Sequence, residues 1–236
     1  MKPVLLIAIN FAREQRWPML TLLLWVLLLA FLGLVSDIHR QRDDLLFVFK
    51  LDAVYVSAFS IFFGGSAIYN ERRSRRILAV LSKAVGRQQY LSGLVLGVTI
   101  ACAVYCFALG MTGSWTVGAA GFPISHVWFL MVCLLAACAL AGTVALMIST
   151  FLNPFFAAGA TAMVLGLPAL AGQFLGPHWG YVIPVWELGA TVVNSSFESP
   201  GTASWFPIVL AGVETLAFWL LSARIFAYVD IAVAVE

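Results

Sequence analysis

Six long apolar runs divide this chain, at residues 18–36, 53–69, 90–113, 127–150, 154–175 and 205–223. Each has about the 20 residues needed to cross a hydrocarbon core of roughly 30 Å. Their interiors are mostly Leu, Ala, Val, Phe and Gly with almost no charge, which suits helices whose backbone bonds close internally and not the alternating pattern of a barrel. The pattern therefore predicts an all-α, polytopic membrane protein with six transmembrane helices in a single transmembrane domain, 1–236. Ahead of the first run, residues 3–17 place Val4, Leu5, Ile7, Ala8 and Phe11 among Asn10, Arg13, Glu14 and Arg16, with Trp17 at the turn into the bilayer. That stretch reads either as an interfacial helix or as an ordinary charged flank.

Local signals refine the later elements. Asn153 and Pro154 form an N-cap and first-position pair that starts the fifth run after a tight connection. Pro168 removes one backbone bond from that run and predicts a bend, eased by Gly166. The long connection at 177–200 is rich in Trp179, Tyr181, Trp186 and Phe197, which mark a membrane boundary, and 181–193 is a candidate outer re-entrant segment.

Composition confirms the class: 62% of residues are hydrophobic and 10% charged, with a mean hydropathy of +0.99. The 13 basic residues are unevenly placed. Lys2, Arg13, Arg16, Arg72, Arg73, Arg75, Arg76, Lys83, Arg87 and Arg224 fall on one side, against Arg40, Arg42 and Lys50 on the other. By the positive-inside rule both termini are expected in the cytoplasm, in a plasma (inner) membrane. Membrane lipids thus account for the net charge of +2, and nucleic acid is not an expected partner. No cleavable leader is expected, because Arg13, Glu14 and Arg16 interrupt the first apolar stretch. Asn194-Ser195-Ser196 matches a glycosylation acceptor that matters only in a secretory-pathway host.

Catalytic chemistry is not apparent. His39, His126 and His178 have no carboxylate or cysteine at a metal spacing, no Ser lies in a G-x-S-x-G context, and Cys102, Cys106, Cys133 and Cys138 read as packing residues inside spans. The chain is expected to be no enzyme and to bind no cofactor or metal itself. Lys2, Lys50 and Lys83 all lack the context of a P-loop, so any ATP and Mg would be bound by a separate subunit. Glu214 reads as the only acid deep inside a span, a placement costing on the order of 2.5–3.5 kcal/mol unless it faces a bundle interior or water. Small residues repeat at Gly93, Gly97 and Ala101, at Ala158, Ala162 and Gly166, and at Gly64 to Ala67, which lets helices approach closely.

The most distinctive stretch is 71–87, holding six of the 13 basic residues between two spans. As a helix it would gather Ile77, Leu78, Leu81 and Val85 on one face and turn Arg72, Arg73, Arg76 and Lys83 elsewhere, with Gly86 as its stop. Together with Tyr90, Leu91 and Gly93, the residues Glu71, Ile77, Leu81, Ser82, Val85 and Arg87 resemble the coupling-helix motif of type 2 ATP-binding-cassette permeases. Arg75 and Arg76 stand where that family has Gly-Thr, Ala84 replaces Pro and Leu94 replaces Lys. The resemblance implies the permease subunit of an exporter, working as a dimer with a second copy or close paralogue and with P-loop ATPase subunits. It implies ATPase coupling through Glu71, Arg72, Arg73, Arg76, Ile77, Leu81 and Arg87, and a translocation path to which Glu214 and Pro168 are assigned. Two other readings stand beside it, an ion-coupled carrier titrating Glu214 and a membrane assembly scaffold without flux. A charge-poor path suits lipids, lipid-linked glycans, hydrophobic drugs or haem.

Overall fold

The computed structural model of the chain describes residues 2–36, 42–73, 86–119, 124–191 and 205–228. Seven α-helices carry almost all of these: α1 (Lys2–Glu14), α2 (Arg16–Ser36), α3 (Arg42–Arg73), α4 (Arg87–Ala119), α5 (Ile124–Ser149), α6 (Pro154–Leu175) and α7 (Phe206–Tyr228). A 3-10 turn at Pro177–Tyr181 and a π-helical turn at Glu187–Thr191 lie between α6 and α7, and no strand occurs among the described residues. Five helices are long and apolar enough to cross a membrane, and α1 with α2 adds a sixth crossing if the bent pair is taken as one span. The chain is therefore a helical, multi-pass membrane protein.

The bend between α1 and α2 is 61° and has a local cause. Pro18, in the first turn of α2, has no N–H for the Glu14 carbonyl and its ring crowds that oxygen, so the helix breaks at Gln15. Val4, Ile7, Ala8 and Phe11 of α1 then pack against the start of α4 at its two small positions. A Cβ on Gly93 would sit 2.7 Å from Ile7, and one on Gly97 2.8 Å from the Phe11 ring. The small-residue pair on α4 is thus consumed inside the chain. Leu5, Leu6 and Ile9 stay on the exposed side of α1.

At the centre stands α5, buried on every side between Leu140 and Leu146. Lipid-facing helices gain little from hydrophobic association, so close packing and interhelical hydrogen bonds must hold such a bundle. The α3–α5 seam supplies both. Gly64 and the Gly142 carbonyl leave no space for a side chain; Ser60 Oγ donates to the Cys138 carbonyl at 2.5 Å and Ser149 Oγ to the Gly64 carbonyl at 3.4 Å. On the other flank α7 is tied to α4 by Trp219 Nε1 donating to Ser92 Oγ at 3.1 Å. All four cysteines are buried and free, as packing residues should be.

The start of α6 follows the expected chemistry. Asn153 is extended and its side chain accepts from the Phe156 N–H at 3.1 Å, with Pro154 in the first turn. The helix continues through Pro168 to Gly176, whose φ of 121° is a conformation that side chains rarely adopt. Beyond it the 3-10 turn returns onto α6, and the π-helical turn packs on α3, α5 and α7 with Leu188 buried.

One boundary differs from expectation. Instead of beginning near residue 53, α3 begins at Arg42, so Lys50 and Asp52 are helical residues and not loop residues. Asp52 is only 1% exposed, which makes it a second acid inside a membrane span, contrary to the expectation that Glu214 stands alone. The two charges lie two residues apart and so project to opposite sides of the helix.

Candidate functional site

Two places in the bundle gather functional side chains, one at each end of α3. At its C-terminal end Glu71 is 7% exposed and faces the Tyr90 side chain of α4. The Tyr90 ring stacks on Phe226 near the end of α7, with centroids 6.4 Å apart and planes 18° apart. Arg87, the first residue of α4, donates from Nη1 to the Phe226 carbonyl at 3.2 Å. A guanidinium there satisfies a free carbonyl in the last turn of a helix and complements its dipole. Glu71, Arg87, Tyr90 and Phe226 thus lock the ends of three helices together, and the stretch 74–85 leaves from and returns to that lock. Of the expected coupling residues, Glu71 and Arg87 belong to it and Arg73 is exposed beside it. Arg76, Ile77 and Leu81 lie outside the described residues, as do the Arg72 side chain and the rest of the strip at 74–85.

Toward the other end α3 and α6 part. They touch near Gly65, where a Cβ would lie 3.7–3.9 Å from Pro154, Ala157 and Ala158, and they run antiparallel. Farther along, a cavity of about 610 Å³ separates them. Its walls are Ala53, Val54, Ser57, Ala58 and Ile61 of α3, Ala162, Leu165, Gly166 and Ala169 of α6, and Val185, Trp186 and Gly189 of the segment that follows. Among the described lining residues Lys50 alone is charged. A volume of this size falls in the range of small-ligand sites, about 300–1,000 Å³.

On the opposite side of α3, Asp52 accepts a hydrogen bond from Tyr105 Oη of α4 at 3.4 Å. Beside it lies a second space of about 30 Å³, lined by Val26, Leu109, Thr112, Gly113 and Thr116 among others. That is room for one water, which could satisfy the remaining oxygen of the carboxylate.

The residues assigned to a path are not brought together. Glu214 lies on α7, which packs on α4 and α5, while Pro168 lies on α6. Neither lines the large cavity. Glu214 Oε2 is buried without a hydrogen-bond partner among the described residues, and the neighbouring Thr215 donates instead to the Ala211 carbonyl at 2.7 Å. Among the described residues no group of histidine, cysteine, aspartate and glutamate side chains could hold a metal ion. The acceptor triplet at 194–196, His39 and the part of the proposed re-entrant segment beyond 191 lie outside the described residues.

Lys50 and Asp52 do not stand out in the residue pattern, because a charge beside an apolar run usually marks its end. The signal was present: residues 45–49, Leu-Leu-Phe-Val-Phe, carry the run back beyond both of them. Comparison with protein-family models, with curated proteins and with solved structures finds no match for this chain.

Proposed function

We propose that the chain is the permease subunit of an ATP-driven exporter, forming a path for an amphipathic cargo and moved by a separate ATPase. The observation that carries this reading is the lock of Glu71, Arg87, Tyr90 and Phe226 at both ends of the basic strip. A force applied to 74–85 reaches α3 through Glu71 and reaches α4 and α7 through Arg87 and Tyr90. Those helices would then move as a rigid group, the kind of displacement that switches a transporter between two orientations. The cavity between α3 and α6 supplies a place for cargo on the way.

In this reading the basic end faces the cytoplasm of a plasma (inner) membrane, where Lys and Arg concentrate. A second copy or a paralogue completes the path, and ATP with Mg belongs to the partner ATPase. Co-expression with candidate P-loop ATPases tests the proposal. The chain should copurify with one of them, and the triple charge reversal Arg72→Glu, Arg73→Glu, Arg76→Glu should sharply reduce recovery. Undiminished ATPase binding and transport by that variant would remove the coupling role.

Asp52 and Glu214, two acids within spans, favour one other reading, an ion-coupled carrier acting alone. ATP-independent uptake by the purified chain, abolished by Glu214→Gln or Asp52→Asn, would establish it in place of the first.

A further inference from the structure

We infer that the cavity between α3 and α6 binds an anionic amphiphile of the bilayer, with its head group at Lys50 and its chain along the small residues of both helices. Lys50 lies three residues inside the span that begins at Phe47. It is half-buried, and no hydrogen bond or ion pair engages it among the described residues. An ammonium at that depth needs either water or an anion. From Lys50 to Ile61 the α3 wall runs for about 16 Å at the helical rise, and among the described residues every other lining residue but Ser57 is apolar or glycine. A cationic end with a long apolar groove matches a molecule having an anionic head and an alkyl body.

The same lining excludes its nearest competitor. Among the described residues it contains no acid, so none of them would pair with the ammonium of a zwitterionic lipid. Asp52 is turned to the opposite face toward Tyr105, and Glu187 rests its carboxylate over Gly180, 3.0 Å from where a Cβ would be. The inference rests on the transport reading only in treating the bound amphiphile as cargo; the binding itself stands apart from it.

Trp186 lines the cavity and reports its contents. The purified chain, titrated in micelles with phosphatidylglycerol or phosphatidylcholine carrying brominated chains, should show quenching that is missing in Trp186→Phe. That component should appear at about one-fifth the mole fraction for the anionic lipid, the factor given by about 1 kcal/mol per basic residue beside an anionic head group. Lys50→Gln should erase the difference between the two lipids and Lys50→Arg should keep it. Gly166→Leu, which fills the groove, should remove the Trp186 component for both. Equal binding of the two lipids by the unaltered chain would overturn the inference, as would a preference surviving Lys50→Gln or displacement by inorganic phosphate alone. Failure to recover an ATPase partner would leave a lipid site whose occupant is not transported.

Discussion

The α3 helix meets α5 and α6 in opposite ways. Against α5 the backbones touch at Gly64 and Gly142, and buried hydroxyls bridge the gap at Ser60 and Ser149. Against α6 the helices touch around Gly65, and farther along they leave a cavity of about 610 Å³. Both seams are lined by small residues, yet in one these residues hold the helices together and in the other they leave space for a ligand. On α3, small side chains therefore specify close approach where the partner helix also offers a small residue and a hydrogen-bond acceptor, as α5 does. Against α6 they widen a cleft. A substitution should have a large effect in the first seam and a small one in the second.

The largest effect is expected at Gly64. Its missing Cβ would collide with the Gly142 carbonyl, and backbone cannot step aside as the end of a flexible side chain can. Gly64→Ala should destabilise the bundle by about 3 kcal/mol, read as a fall in the unfolding midpoint in detergent. Asp52→Leu should come next, at about 2 kcal/mol, because it leaves the Tyr105 hydroxyl buried without its acceptor. Asp52→Asn keeps an acceptor for that hydroxyl and should cost less than half as much. Equal losses in the two Asp52 variants would mean that the charge matters and not the hydrogen bond.

Much of the seam chemistry could be read from residues alone. Gly64, Gly93 and Gly97 announce close approach, and the two on α4 find it in Ile7 and Phe11 of α1. Asn153 and Pro154 announce the start of α6, and the structure forms that cap. The cavity could not be read in the same way, because Lys50, Ala162, Gly166 and Trp186 come from three segments that only tertiary packing brings together. Asp52 escaped for a different reason. A charge beside an apolar run usually marks its end, and only the Tyr105 side chain, 53 positions away, makes burial of this one tolerable. Tyr90 was visible as part of a motif, but its stacking on Phe226 joins elements 136 residues apart and leaves no local trace. The hydrophobic pattern located the spans because lipid imposes it locally; their partners follow from packing.

Smaller changes sharpen the contrast between the seams. Ser60→Ala removes one buried donor, but the Cys138 carbonyl can keep its helical partner, so a loss of about 0.6 kcal/mol is expected, near the average for such bonds in membranes. Gly166→Ala should reverse the sign. Nothing lies within 4 Å of the position a Cβ would take at Gly166, so the added methyl meets no strain. Within a helix interior the exchange also removes conformational freedom from the unfolded chain, a gain of about 0.5 kcal/mol. The unfolding midpoint should therefore rise slightly, whereas the equivalent change at Gly64 lowers it strongly. A midpoint for Gly166→Ala that fell as far as that of Gly64→Ala would show that α6 closes onto α3 along its whole length and that the cleft is not open.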